Sequence, residues 1–405
     1  MLTCMLVYTY IQRMNSKYFS TAAIGMLSLA IFCGKLHAQS GQTGTQTNGS
    51  QSNNVSSAVP FLLITPDARA GSMGEAGVAV QPDANAMSIN PAKLAFLDKP
   101  YGFSASYSPW LKSLVPDINL AYISGFYKVN DQSVVGASLR YFSLGQIQLT
   151  NPTGGDDGIA NPNEFAFDLT YSRRFGEDFS LGTTARYIYS NLNSAQVSGT
   201  QSTKAGTAFA MDVSAFYKKP TVMFGKDAIL SAGLNISNIG TKMSYVDGGS
   251  EYFIPTNFKL GGAGTLIVDD YNQFTFALDF NKLMVPTQPI RASDGSIISG
   301  KDPDRSVLSG MFGSFSDAPG GFSEEAKEIS IAAGAEYWYN QQFALRAGYF
   351  YEAPEKGDRR YLTLGAGLKY NIFNIDIAYL IANPQKSPLA NTLRFSLLFN
   401  FGNTK

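Results

Sequence analysis

Three glycines at strict three-residue spacing, Gly71, Gly74 and Gly77, form the motif in this sequence that comes nearest to a chemical signature. Glycine-rich turns that bind dinucleotides use the spacing GxGxxG, and phosphate-binding loops follow their glycines with Lys and then Ser or Thr. The stretch GSMGEAGVAVQPDANAMSINPAKLAF (71–96) has neither arrangement. The spacing therefore argues against a phosphate site and favours a structural role, because small residues let two backbones approach closely.

Charged and nucleophilic residues offer no recognisable catalytic or metal-binding motif. The acidic runs DDG (156–158) and DPDR (302–305) lack the ligand spacing of an EF-hand calcium loop. Cys4, Cys33 and His37, the two cysteines and the single histidine of the chain, all precede residue 39. Removal of that segment would leave no thiol or imidazole for nucleophilic catalysis, disulfides or zinc binding. We therefore expect no enzyme activity, no catalytic residue, no cofactor and no metal site.

The start of the chain has the pattern of a secretory signal peptide, which we assign to residues 1–38. Lys17 precedes the apolar run TAAIGMLSLAIFC, and the small residue Ala38 ends the cleavage-site pattern LHA. The apolar run is too short for a membrane-spanning helix. Two alternatives stay open: Met14 as the true start, and lipidation at Cys33, although a large residue precedes that cysteine.

The composition points away from nucleic acid and towards a membrane. The 405 residues carry 31 basic and 31 acidic side chains, so the net charge is zero. Binding to nucleic acid through counterion release needs a basic surface, so we expect no such partner. Only 15% of the residues are charged, against about 25% in a typical soluble domain.

Alternation of apolar and polar residues dominates the chain from residue 101 onward. In TLRFSLLFNF, Phe395 and Leu397 fall on one face, and Arg394 and Ser396 fall on the other. Period two over this length predicts a strand with one apolar face. About fourteen such segments, most long enough for a tilted strand to cross a bilayer, lie near 101–108, 118–128, 134–143, 164–175, 179–190, 207–217, 228–238, 257–268, 273–283, 329–340, 343–352, 361–371, 373–381 and 392–401.

Short and long connections alternate between these predicted strands. VNDQ, GED, DDYN and NQQ are short, the other connections are longer, and KKPTVMFGKD (218–227) is the one intermediate case. Outer-membrane barrels have short periplasmic turns and long extracellular loops, whereas a soluble β-sandwich has no reason to sort its loops this way. The pattern predicts an all-β, antiparallel transmembrane β-barrel of about 14 strands over 101–405. We expect it in the outer membrane, with both termini periplasmic.

The residues between the leader and the barrel fall into two parts. An uncharged polar stretch predicts a flexible linker over 39–58. A barrel of fourteen strands is wide enough to need filling, so we expect 59–100 to form an N-terminal plug that enters on the periplasmic side. The residues of its signature, to which we give a structural role, are Gly71, Met73, Gly74, Gly77, Asp83, Asn90, Pro91 and Ala92.

The polar faces of the predicted strands carry scattered charges. We expect them to face the lumen and to pair across strands or hold the plug, rather than to catalyse a reaction. These residues are Asp168, Arg174, Arg186, Asp212, Asp279, Arg346 and Asp376.

The glycine stretch and its Asn-Pro-Ala element resemble the N-terminal signature of the FadL-type superfamily, whose members are fourteen-stranded barrels with an N-terminal hatch. Within it, AVPFLLITPDARAGSMGEAGVA, YSPWLKSLVPDINLAYISGFYK, PNEFAFDLTYSRRF and ISNIGTKMSY resemble the PorV (also called LptO) family of type IX secretion outer-membrane proteins of Bacteroidetes-type bacteria. The resemblance extends from about residue 58 to the C-terminus.

The resemblance implies a non-enzymatic protein that associates with the large SprA-type translocon barrel. Such proteins receive cargo through its C-terminal domain and carry it to the surface sortase PorU, while outer-membrane lipid surrounds the barrel. The long loops 144–163, 190–206, 239–256 and 284–328 are then the candidate contacts. Within or beside them we single out Trp110, Asp156, Asp157, Tyr245, Tyr252, Phe312 and Phe315.

Two other functions remain open at this point. A FadL-like channel for long-chain fatty acids or other hydrophobic small molecules should show an apolar lumen pocket and a gap in the plug or wall. The lumen-facing positions are instead mixed, with Phe216, Phe350 and Leu398 among polar residues. A purely structural or adhesive barrel would explain the loops but not the plug signature.

Overall fold

The structure is a computed structural model that describes residues 53–110, 117–150, 153–192, 204–292, 294–382, 389 and 391–402. The predicted signal peptide and most of the predicted linker lie outside the described residues. Within the described part, no helix is long and apolar enough to cross a membrane.

Fourteen antiparallel strands close into a barrel, which confirms the predicted fold class. Closure comes from the pairing of the first and last strands, in which Tyr101 lies opposite Phe401. The barrel strands are β1 (Tyr101–Pro109), β2 (Asn119–Lys128), β3 (Ser133–Ser143), β6 (Asn163–Phe175), β7 (Phe179–Asn191), β8 (Gly206–Met223), β9 (Lys226–Gly240), β10 (Asn257–Ile267), β11 (Asn272–Leu283), β14 (Ile329–Tyr339), β15 (Phe343–Tyr351), β16 (Arg360–Tyr370), β17 (Phe373–Ile381) and β18 (Thr392–Phe401).

Side chains alternate between the two faces of the barrel wall, as the sequence pattern predicts. On β1, Ser104 and Ser106 are buried, whereas Phe103 and Tyr107 are exposed on the outer surface. Apolar and aromatic side chains cover the outside of the other strands in the same way. The polar residues therefore face the lumen, and the apolar ones form the band that a bilayer requires.

Short and long connections lie at opposite ends of the barrel, which we call the short-turn end and the long-loop end. The intermediate connection predicted over 218–227 is wrong, because β8 and β9 continue through it to a two-residue turn at Phe224 and Gly225. Pro220 is accommodated because β7 begins at Phe179, opposite Tyr217, so that this part of β8 has a free edge. With this change, the alternation of short and long connections has no exception.

Two hairpins and two α-helices occupy the long connections. One hairpin comprises β4 (Ile147–Thr150) and β5 (Asp156–Ala160), and the other comprises β12 (Ile290–Arg291) and β13 (Ile297–Ser299). The helices α2 (Val307–Gly313) and α3 (Phe322–Lys327) follow in the 284–328 segment, and a 3-10 helix spans Pro354–Lys356.

The N-terminal segment runs through the barrel and fills it. It contains the helix α1 (Ala68–Ser72) and 3-10 helices at Pro60–Leu63, Ala86–Ser88 and Pro91–Phe96. Most residues from 58 to 97 are buried. We call residues 59–100 the plug.

The direction of this segment differs from the expectation. Near its start, Asn53 N donates to Glu355 O (3.2 Å) and Ala58 N to Phe253 O (2.8 Å), both in long connections. At its other end, Lys128 N donates to Pro100 O beside a short turn. The plug therefore enters from the long-loop end, not the short-turn end. These backbone hydrogen bonds attach residues 53–58 to the long loops, so this part of the predicted linker is ordered against the barrel.

Candidate functional site

A chain of alternating charges ties the plug to the barrel wall. Arg69 of α1 pairs with Asp83 of the plug (Nη1–Oδ2, 3.1 Å) and with Glu336 of β14 (Nη2–Oε1, 2.8 Å). Glu336 also pairs with Arg346 of β15 (2.7 Å), which in turn pairs with Asp376 of β17 (2.6 Å). Each buried charge is thus compensated by an opposite one, as buried ions require.

The glycines of the signature lie where the plug backbone meets the wall. Gly74 has φ +65°, and a Cβ there would lie 2.5 Å from the backbone nitrogen of Tyr349. Its own N–H donates to Thr363 Oγ1 (2.8 Å). A Cβ on Gly71 would lie 2.5 Å from Arg394 Nη1. Only glycine fits both positions without displacing the wall.

Asp279 of β11 holds the third glycine through the plug backbone. Its Oδ2 accepts hydrogen bonds from Gly77 N (2.7 Å) and Val78 N (2.9 Å). Lys93 Nζ donates to Gly77 O (2.7 Å) from the other side. Met73 is fully buried. The arrangement uses a lumen carboxylate as an anchor for the plug backbone.

The Asn-Pro-Ala element fastens the plug to the opposite part of the wall. Asn90 caps the 3-10 helix Pro91–Phe96, because its side-chain oxygen accepts from Ala92 N (3.1 Å). Ala92 N also donates to Ser214 Oγ (2.9 Å), and Ala92 O accepts from Ser180 Oγ (2.7 Å). The element therefore supplies both a backbone donor and a backbone acceptor to β7 and β8.

Glu75 forms a further contact between plug and wall. It adopts φ +70°, an uncommon conformation for a residue with a side chain. Its carboxylate pairs with Arg394 Nη2 (3.1 Å) and accepts a hydrogen bond from Tyr361 OH (2.8 Å). Burial alone would raise the pKa of Glu75, but Arg394 and, more weakly, Arg359 hold it below its usual value. Glu75 is thus ionised and holds two strands at once.

Two other titratable groups of the plug are also shifted by burial. Asp67 caps α1, accepting from Ala70 N (2.8 Å). Burial, with a smaller contribution from the nearby charge of Asp83, raises the pKa of Asp67 to about 6. Burial lowers the pKa of Lys93 to about 8. Both shifts disfavour the charged forms, because burial removes each group from bulk solvent.

The central lumen charges of β6, β7 and β8 form ion pairs across neighbouring strands. Arg186 of β7 pairs with Asp168 (2.7 Å) and Asp212 (3.0 Å) on the two neighbouring strands. Arg174 donates to Asp131 O (3.2 Å) at a short turn. Among the described residues, no three acidic, His or Cys side chains are grouped so that they could hold a metal ion.

Two of the predicted contact residues turn inward. Trp110 is half-buried against the apolar core of the long-loop half, and the Arg394 guanidinium lies 5.7 Å from its ring. Tyr245 packs against the same core, and its hydroxyl lies 3.0 Å from Ser190 Oγ. Both residues are partly buried, because the apolar cluster that includes Phe61 and Leu62 of the 3-10 helix Pro60–Leu63 gives them a surface to pack on.

The other predicted contact residues for which side chains are described lie at the surface, and Phe312 and Phe315 lie close together in the 284–328 segment. Tyr252, Phe312 and Phe315 are 54%, 68% and 46% exposed. Asp156 lies on the separate β4–β5 hairpin, where it accepts from Gly158 N (2.8 Å). The side chain of Asp157 lies outside the described residues.

A cavity of about 350 Å³ opens above the plug at the long-loop end. Its wall combines apolar side chains with charges, so it is not the uniformly apolar pocket expected of a channel for hydrophobic molecules. Within the described structure, Lys259 has no ion pair within 4.0 Å there. Its lining includes Leu63, Ile64, Glu75, Lys259, Phe350 and Arg359.

Four residues that hold the plug were not singled out from the sequence as site residues: Arg69, Glu75, Glu336 and Arg394. For Arg394, the alternation of β18 already indicated a lumen-facing position. The sequence offered two signals for these residues. One was a charge on a lumen-facing strand position, and the other was the presence of charges within a stretch of small residues in the plug. Their pairing was not predictable, because each partner lies more than 260 residues away in sequence.

Comparison with known proteins identifies a family whose model matches more than half of this chain. Residues 46–290 match the family model described as "Type IX secretion system protein PorV". The toluene transporter TbuX of Ralstonia pickettii is 13% identical, with 84% of this chain and 98% of that one covered and a TM-score of 0.44. A FadL homologue of Pseudomonas aeruginosa is 12% identical, with 84% and 99% covered and a TM-score of 0.44. No curated protein matches, and likenesses this distant carry no argument about function.

Proposed function

The chain belongs to the PorV family of type IX secretion system proteins, whose model matches residues 46–290, and from this membership we propose a docking function without catalysis or conduction. It is an outer-membrane component of that secretion system. The proposal concerns the role of this chain in secretion.

The observation that supports the proposal is that several independent contacts hold the plug in the barrel. Arg69 and Glu75 form ion pairs with the wall, and Asp279 binds the plug backbone directly. The Asn-Pro-Ala element adds hydrogen bonds to β7 and β8. Because the plug fills the lumen, the surfaces left for binding partner proteins are the outer wall of the barrel and the long-loop end.

We assign three protein partners to these surfaces: the SprA-type translocon barrel, the C-terminal domains of secreted cargo, and the PorU sortase complex. The long-loop end supports this assignment, because hairpins β4–β5 and β12–β13 and the exposed Tyr252 all lie there. The long-loop end then faces the cell exterior, as in other outer-membrane barrels. The described N-terminal segment begins at that outer end, while the C-terminal strand ends on the periplasmic side.

A strain that lacks this gene tests the proposal. Surface and periplasmic proteins would be quantified by mass spectrometry, with the strain complemented by the wild-type gene as the control. We expect proteins that share a C-terminal secretion domain to disappear from the surface, and to accumulate in the periplasm or keep that domain uncleaved. Unchanged locations together with reduced uptake of long-chain fatty acids would support the channel alternative instead.

A further inference from the structure

The helix α2 exposes apolar side chains on one face. Leu308 and Phe312 are one helical turn apart and are 61% and 68% exposed, and Phe315 follows just beyond the helix. The opposite face is buried through Gly310, where a Cβ would lie 2.6 Å from the ring of Phe253. We call Leu308, Phe312 and Phe315 the α2 patch. Packing of the opposite side of the helix fixes the orientation of the patch, so these side chains are held at the surface.

The patch lies beside the outer wall of the barrel. The ring of Phe315 meets the ring of Phe258 edge to face at 6.4 Å. Phe258 has the same parity on β10 as the exposed Leu260, so both point away from the lumen. The 284–328 segment therefore folds over the rim onto the outside of the barrel rather than only across its mouth.

The rim of the lipid-facing band passes through this point. On β11 the outward side chains Phe276, Leu278 and Phe280 are exposed and apolar, and the next outward residue is Lys282. Lys282 lies 5.5 Å from the Phe315 ring. It is buried and paired with Glu325 and Glu328 at 3.1 and 2.5 Å.

The height of the patch agrees with the thickness of a membrane. Nine residue steps along β10 separate Ile267, at the short-turn end, from Phe258. At about 3.3 Å per residue and a tilt of about 40°, they span roughly 23 Å. The apolar band of an outer-membrane barrel is about 25 Å tall. Phe258, and with it the α2 patch, lies at the outer edge of that band.

We propose that the α2 patch is a lipid-binding surface that rests in the headgroup region of the outer leaflet. Its occupant is lipid, because the patch continues the lipid-facing wall at the depth where aromatic side chains favour the interface. The patch would thereby fix the 284–328 segment against the membrane surface. The inference depends on the barrel lying in a membrane and not on its part in secretion.

Fluorescence quenching at single cysteines tests this placement. Cys4 and Cys33 are first replaced by Ala, so that each variant carries one reactive thiol. Phe312→Cys probes the patch, Phe276→Cys provides a lipid-facing control of similar exposure (63%), and Ser296→Cys, in the turn of the β12–β13 hairpin, provides the aqueous control. Each is labelled with a nitrobenzoxadiazole dye in phosphatidylcholine vesicles. Quenching is measured with lipid spin-labelled near the headgroup and, separately, with iodide.

We expect lipid quenching at position 312 within about two-fold of that at 276, with little quenching by iodide. The ratio of lipid to iodide quenching decides the outcome. A ratio closer to that at 296 than to that at 276 would overturn the proposal and leave the patch as a surface for a protein. Resistance of each labelled barrel to unfolding in detergent without heating shows that the fold is intact.

Discussion

Replacing Arg69 by Met should release the plug without unfolding the barrel. Arg69 is a nearly buried cation that joins Asp83 of the plug to Glu336 of the wall, and methionine keeps much of its length without the charge. Removing one partner of a buried ion pair costs about 3–5 kcal/mol, because the other charge stays buried without compensation. We expect a value at the lower end, since Glu336 keeps its 2.7 Å contact with Arg346.

The loss should appear in the plug, because the backbone pairing of the fourteen strands does not involve Arg69. Hydrogen exchange followed by mass spectrometry would report on peptides from residues 64–82. A loss of about 3 kcal/mol in the opening free energy should accelerate their exchange on the order of 10²-fold. Peptides of the strands should exchange as in the wild type.

A matched control variant and a double variant test whether the loss comes from the buried ion pair. Lys219→Met removes an ion pair with Asp178 in which the lysine side chain is 55% exposed, so it should leave the exchange of the plug peptides as in the wild type. Adding Glu336→Gln to Arg69→Met should recover part of the loss, because the uncompensated carboxylate is gone. Exchange in Arg69→Met within a few-fold of the wild type would refute the view that ion pairs hold the plug.

Three further predictions concern single positions of the plug. Gly74→Ala should prevent the plug from seating, because the new Cβ meets the backbone of Tyr349 at a φ of +65°; a lower thermal midpoint on heat-modifiability gels would show this. Asp279→Ala leaves Gly77 N without its acceptor, which should cost about 1–3 kcal/mol and speed exchange locally; unchanged exchange at Gly77 would contradict the anchor. Asp67 has a pKa raised to about 6, so its own contribution to plug stability should be complete below about pH 4 and should fall by about 3 kcal/mol as the pH rises through 6 to 7. Asp67→Asn, which still caps a helix, should abolish that fall in plug protection measured by hydrogen exchange between pH 4 and 7.

The barrel itself could be predicted from the sequence because its rules are local. Alternation along segments such as 392–401 specifies which side chains face lipid, and loop length specifies which end each connection occupies. The one misassigned connection, 218–227, contains Pro220 and three lysines, which locally indicate a loop. Its strands continue because Pro220 lies where β8 has no neighbour on its outer edge.

The path of the plug could not be predicted because it depends on distant contacts. Ala58 N bonds to Phe253 O and Asn53 N to Glu355 O, and nothing near residues 53–58 indicates these carbonyl groups. The same limit applies to Trp110 and Tyr245. As aromatic residues near loops they matched the pattern of a contact surface, but the plug gives them an apolar surface to pack on.

The sequence indicated which charged side chains face the lumen, but it did not indicate the ion-pair partner of each one. Asp168, Arg186 and Asp212 fall on polar strand faces in the sequence, and the register of β6, β7 and β8 then brings them together. Arg69 and Glu336 have no such guide, because α1 is too short for its orientation to follow from a pattern.

Affinity purification of the tagged chain from gently solubilised outer membranes tests the central claim of a plugged docking barrel most directly. Partners would be identified and quantified by mass spectrometry, with an untagged strain as the control. The account predicts co-purification of a large translocon barrel and of proteins that share a C-terminal secretion domain. Recovery of the chain without either, together with passage of small hydrophobic solutes through the purified barrel, would contradict it.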